Sequence, residues 1–233
     1  AMERQRAEAR KAWSGSGDAA VETVWFAVKD RVGATDFLGY ETDVAEAVVT
    51  ALVADGKEVD QLETGMSGAV VLNQTPFYGE SGGQVGDTGL LTWSGGRFQV
   101  TDTRKEGSNH LHIGTVVEGE LFPGMEVDAR IDHERRERTK RNHSATHLLH
   151  ADLRKVLGEH VSQKGSLVDQ DKQRIDFSHL EAISAADLQG IERQVNQKIL
   201  QNTTVVTEVT DMEQALAKGA LALFDEKYGD SVR

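Results

Sequence analysis

The chain has 233 residues, 38% of them apolar and 27% charged, and a formal charge of −12. That length can bury one large core or two small ones, and the balance is that of a globular protein rather than a disordered one. Cysteine is absent, which excludes disulfides, a thiol nucleophile and thiolate metal ligands from within the chain, and the longest nearly apolar run, Val48 to Ala54, is too short to span a bilayer.

Residues 2–13 read as the tail of a charged helix, and their Arg, Glu and Ala content is unlike a secretory signal. An opening inside an element is what an excised fragment would show. Ser14-Gly15-Ser16-Gly17-Asp18 breaks the helix and reads as a linker. From about Thr35 to Ile131 the pattern is β. Val44 to Val53 is rich in β-branched residues, and Asp55-Gly56 before Glu58–Leu62 is a hairpin signature. Ala69–Leu72 reads as a buried strand. Gly95-Gly96 divides Leu90–Trp93 from Phe98–Thr103, and His110–Val117 and Met125–Ile131 complete the set. Short strands spaced by turns predict a small barrel or sandwich.

The character changes at Asp132. A long helix is predicted from Asp132 to Leu157, with Gly158 just past its end. Val161–Val168 and Arg174–Ser178 are expected to pair around residues 169–172. Ser184 with Asp187 forms a capping box that opens a helix to Gln201. Thr203–Val209 reads as a strand, and Asp211–Lys218 as a short helix. The fold class is therefore α+β: a small β-barrel, then helices on one face of a mostly antiparallel sheet. The expected division is 1–36 for the helix end and linker, 37–131 for the barrel and 132–233 for the α/β core.

Three segments hold residues with chemical potential. In Asn142-His143-Ser144-Ala145-Thr146-His147, two histidines four apart share a helix face, a spacing that suits one zinc ion. A lone HxxxH is weak evidence, no glutamate follows His143, and a zinc site wants three or four protein ligands. His150 lies on the same face. The second segment, residues 73–89, has five glycines between Gly79 and Gly89, so its backbone must turn sharply or approach something closely. It is neither a P-loop nor GxGxxG, and a tight barrel loop has the same composition. The third runs from Val161 to Leu167. Ser162, Gln163 and Ser166 are placed to face a site beside the histidines or to form a plain polar strand face. Gln163 does not exchange protons near neutral pH, yet it can orient water or hold an ester carbonyl.

Charge is unevenly spread. Arg130 to Arg141 carries six Lys/Arg against three acids, a net +3 in an acidic protein. A solvated helix face laced with ion pairs explains this, and so does an edge that contacts phosphate.

Taken together, NQTPFYGESGGQVGDTG (73–89), RNHSATHLLH (141–150), VSQKGSLV (161–168) and RIDFSH (174–179) resemble the editing region of bacterial alanyl-tRNA synthetases. The opening Met2–Arg6 and the closing Lys218–Gly229 are similar to the same family, so the resemblance covers nearly the whole chain. It implies a β-barrel followed by an editing core similar to the second additional domain of threonyl-tRNA synthetase and to freestanding AlaX proteins. It implies hydrolysis of tRNA(Ala) wrongly charged with serine or glycine. It also implies zinc on His143 and His147, joined by a later Cys-x-x-x-His pair that this chain, ending at Arg233, does not contain. By the same resemblance Gln163 is an editing-site residue, Thr146 is a pocket wall near the amino-acid side chain, and Gly82, Gly83 and Gln84 face the editing core.

The implied chemistry is physically coherent. An aminoacyl ester is already activated, so hydrolysis needs positioning and charge stabilisation above all. A pocket built for alanine discriminates poorly against glycine and serine, by roughly 1–3 kcal/mol, so a second sieve is required. Arg135, Arg138, Lys140 and Arg141 then gain a role against the acceptor stem, with Ser162 and Ser166 beside the substrate. No adenylation motif is present, so the ATP-dependent activation of alanine is expected elsewhere in the parent ligase. A cytoplasmic translation enzyme with no membrane partner is expected. The missing ligand pair leaves a second reading open, a folded tRNA-contacting module without hydrolysis.

Overall fold

The computed structural model describes residues 19–220 and 231–233. The predicted helix 2–13, the linker 14–18 and most of the closing Lys218–Gly229 motif lie outside them. The chain divides into two compact units: residues 1–81 with 85–136, and residues 82–84 with 137–233.

The first unit opens with helix α1 (Ala19–Val32), followed by strands β1 (Asp36–Phe37), β2 (Val44–Ala54), β3 (Lys57–Glu58), β4 (Leu62–Glu63), β5 (Ser67–Leu72) and β6 (Gln74–Thr75). After the glycine-rich loop come β7 (Gly89–Trp93), β8 (Gly96–Glu106), β9 (Asn109–Glu118), β10 (Glu120–Leu121) and β11 (Glu126–Ile131). The large sheet runs β11-β7-β8-β9-β5-β2-β3, and β11 pairs again with β2, so six antiparallel strands close into a barrel. The Asp55-Gly56 hairpin forms as expected, with φ of 50° and 70° at its two residues, the pair of left-handed conformations a type I′ turn requires.

Alternation explains which residues fill the barrel. In β11 every second side chain is buried, from Val127 through Ala129 to Ile131. In β2, Ala47 and Val49 point into the barrel core, whereas further along Leu52 and Ala54 do so. The shift of parity coincides with a register irregularity between Val49 and Ala51. The opposite face of β2 and β5 is buried too: Ala51, Val53, Ala69 and Val71 pack with Val28, Trp25 and Val32 of α1. Residues 19–32 carry no element in the sequence reading above, and their helix is what makes β2 and β5 apolar on both faces.

His112 and Asp87 are among the polar residues buried in this unit. His112 is fully buried; its Nδ1 donates to the Val70 carbonyl at 2.9 Å, and its Nε2 accepts from Thr75 Oγ1 at 2.7 Å. Asp87, in the glycine-rich loop, accepts the backbone N–H of Tyr78 at 2.8 Å. It is also paired with Arg136, the side chains being 6% and 8% exposed.

The second unit contains helix α2 (His133–Leu157) from Glu137 onward, then strands β12 (Gln163–Val168) and β13 (Gln173–Phe177) and helix α3 (Ala185–Gln201). It closes with β14 (Thr210–Asp211), the short helix α4 (Met212–Ala217) and β15 (Ser231–Val232). β12 and β13 pair antiparallel, and α3 begins at the predicted cap, where Ser184 Oγ accepts the Asp187 N–H at 3.1 Å. Leu153, Val161 and Ile191 are its buried core, with Leu149, Ile175, Phe177 and Val195 packed around them. Thr203–Val209 is extended in sequence preference yet forms no strand; Val205, Val206 and Val209 are exposed. A β-branched run becomes a strand only when another backbone pairs with it.

Candidate functional site

Helix α2 carries an unusual buried stripe. Arg136, Thr139, Thr146, His150 and Leu153 are buried and His143 is half-buried, at spacings of three and four. Five of these six positions are polar. A face that ordinarily holds Leu and Val holds groups that must be hydrogen-bonded, and each one points to a local arrangement.

His143 and His147 lie one turn apart with rings stacked, centroids 5.0 Å apart and 10° from parallel. His143 Nδ1 is 2.6 Å from Gln84 Oε1. Burial first, and then the neighbouring His147, hold the His143 ring below the usual imidazole pKa. His150 is lowered as well, by burial and then by Arg154 and His147, against a hydrogen bond with the Val161 backbone. Thr146 Oγ1 donates to the Asn142 carbonyl at 2.9 Å and lies 3.2 Å from Gln173 Oε1.

Residues 82–84 belong to this same unit and lie along β12. Gln84 bridges Val168 in parallel, and the Val168 N–H donates to the Gly83 carbonyl at 2.8 Å. Ser166 Oγ donates to the Gly82 carbonyl at 3.3 Å. Gly83 has φ +84°, and a Cβ there would stand 2.2 Å from Ser166 Oγ and 2.6 Å from its carbonyl oxygen. The glycine is required both by conformation and by this close approach. Gln163 opens β12 opposite Phe177, half-buried, with an irregularity between Gln163 and Gly165. Ser162 exchanges hydrogen bonds with Ser178, through its carbonyl at 3.0 Å and its N–H at 3.2 Å. Arg154 holds the Val161 carbonyl just ahead, at 2.7 Å.

The basic run divides. Arg136 turns inward: Nε donates to both Asp87 oxygens at 3.0 and 2.9 Å, and the other nitrogens take the carbonyls of Gly39 at 3.1 Å and Pro76 at 3.0 Å. Arg135 donates to the Gly86 carbonyl at 2.8 Å. Arg138 pairs with Asp171 and Lys140 with Glu137, both in exposed settings, and Arg141 is exposed. The run is therefore part clamp and part surface. Continuing the His143–Thr146–His150 stripe back by three and four residues reaches Thr139 and Arg136, a signal the composition of the run alone does not show.

Two neutral imidazoles fit two positions of a tetrahedral zinc site. Among the described residues no group of three or more His, Asp or Glu side chains is placed to hold one ion. The two imidazoles supply half of a tetrahedral ligand set.

The sequence profile of the tRNA synthetases class II (A) family matches residues 1–135. This chain belongs to that family. Over its whole length it is 56% identical to an alanine–tRNA ligase of Nitrobacter winogradskyi, 53% to one of Mesorhizobium japonicum and 56% to one of a Chelativorans species. In each case it covers 26% of the relative, so this member of the class II (A) family spans about a quarter of the length of the ligases it matches. Among the described residues no helix is long and apolar enough to cross a membrane.

Proposed function

We propose that the second unit is the ester-hydrolysing core of an alanine–tRNA ligase, acting on tRNA(Ala) wrongly charged with serine or glycine in a cytoplasmic translation enzyme. The observation that carries this is the assembly of three sequence-distant motifs in one unit: residues 82–84 lie on β12, β12 begins at Gln163, and Gln84 reaches the ring of His143. A polar site built on a helix and a strand edge suits a reaction that asks mainly for positioning. In this reading Gln163 orients water or the ester carbonyl, Thr146 walls the amino-acid pocket, and Ser162 and Ser166 border it. His143 and His147 hold zinc together with ligands supplied from outside the described residues; the ion would polarise the ester or anchor the substrate amine. Arg138, Lys140 and Arg141 meet the phosphates of the acceptor end.

The alternative is a tRNA-contacting module without hydrolysis, favoured by the absence of a third metal ligand among the described residues. Deacylation of Ser-tRNA(Ala) separates the two. The chain is compared with a version extended along the parent ligase, with bound zinc quantified in both. Hydrolysis by either, lost on Gln163→Ala, supports the editing reading. Hydrolysis by neither refutes it.

A further inference from the structure

A neutral imidazole carries one proton on one of two nitrogens, and the hydrogen bond at one nitrogen decides where it sits. At His143 that hydrogen bond runs to Gln84. The acceptor is an amide oxygen, which has lone pairs and no proton to give. At 2.6 Å the contact requires the proton on Nδ1. Nε2, on the ring edge away from Gln84, then keeps its lone pair.

Gln84 is held for this task. It is 6% exposed, and its chain is tied to β12 through the Gly83 carbonyl and the Gln84–Val168 bridge. Gly82 and Gly83 both have positive φ, and the Gly83 approach to Ser166 leaves no room for a side chain. The glycines let the segment lie against the strand, and that placement delivers the Gln84 amide to the helix. Its amide oxygen is thereby engaged by the His143 ring.

We propose that Gln84 is a positioning residue that commits His143 to the Nδ1–H tautomer and leaves Nε2 free to donate its lone pair to a divalent cation of the zinc class. The tautomer stands on the Gln84–His143 geometry alone; only its use for a cation rests on the reading of His143 and His147 as a metal pair. Such outer partners of histidine ligands orient the ring and raise its basicity. The sequence separates the two residues by most of the barrel, so neither motif by itself discloses the link.

The test is the nitrogen-15 spectrum of the histidine side chains in the full chain at pH 8 without added metal, with His143 assigned by its loss in His143→Gln. The expected result is a pyrrole-like Nδ1 and a pyridine-like Nε2, the reverse of the preference of free histidine. In Gln84→Met, which keeps the length and removes the acceptor, the ring should revert toward the Nε2–H form. A wild-type ring with its proton on Nε2 overturns the proposal, as does a Gln84→Met spectrum identical to wild type. Should Gln84→Met not fold, the wild-type spectrum alone decides. A chain that shows the Nδ1–H form yet hydrolyses no ester keeps this inference and loses the editing reading.

Discussion

Acid should loosen the barrel through His112. Burial, which outweighs the Val70 hydrogen bond that favours the charged ring, pushes its pKa down to about 4 from the ordinary 6.5. Both ring nitrogens are committed in the neutral form: Nδ1 donates to Val70, and Nε2 accepts the hydroxyl proton of Thr75, whose Oγ1 also accepts the Phe77 N–H at 3.1 Å. A second ring proton on Nε2 would force the Thr75 hydroxyl to give up its donation to the ring and turn its proton away. The folded state therefore refuses a proton that the unfolded chain accepts below pH 6.5. The stability is whole above that value and is lost as pH falls toward 4. At roughly 1.4 kcal/mol per pH unit the loss approaches about 3 kcal/mol at pH 4. His110, also lowered to about 4, by burial and then by Lys105, adds to it in the same direction. The assay is urea unfolding followed by tryptophan fluorescence, since all three tryptophans lie at or before residue 93. The midpoint should drop by about 1–2 M between pH 7 and pH 4. His112→Gln should be about 1–2 kcal/mol less stable at pH 7 and lose much of this pH dependence. An equal drop in wild type and variant would refute the reasoning, because groups common to both, His110 and the carboxylates, would then account for all of it.

Three further outcomes follow from the side-chain arrangements described above. Arg136→Met strands the Asp87 carboxylate and the Pro76 carbonyl in the interior and should cost about 3–5 kcal/mol in chemical denaturation, with Arg136→Lys recovering only part because a single ammonium cannot reproduce the fork. Gly83→Ala should disturb the second unit by thermal melting, and Ser166→Gly should not rescue it, since the Ser166 carbonyl oxygen is still 2.6 Å from the new carbon. Reversing charge at Arg138, Lys140 and Arg141 should weaken tRNA binding and flatten its salt dependence by about 0.7–0.9 in log–log slope for each phosphate no longer neutralised; an unchanged slope excludes them as phosphate ligands.

Much of the architecture was legible in the sequence because the signals were local. Asp55-Gly56, the alternation of β11 and the Ser184 cap each encode their geometry within a few residues. What was not legible depends on partners. Helix α1 shows itself chiefly through what it covers, the outward faces of β2 and β5. Thr203–Val209 has strand preference and pairs with no strand among the described residues. At the candidate site, the helical spacing of His143, His147 and His150 could be read directly. The engagement of Gln84 by His143 could not, because the chain between them builds much of the barrel. Arg136 shows the same limit: among five other basic residues, nothing but its place on the stripe marks it as the one that goes inside.

The closure of the barrel has a consequence for how the chain folds. β2 and β11 pair with Val44 opposite Arg130, so the ring is sealed by its earliest long strand and its last. The hairpin β8–β9 can zip from its own turn, but no seal forms until the residues near 131 have arrived. The search for that distant pairing places folding on the order of milliseconds to seconds rather than microseconds. During synthesis the apolar inner face of β2 must wait, half-made, for the strand that completes it, and that interval is when the chain most needs protection from its neighbours.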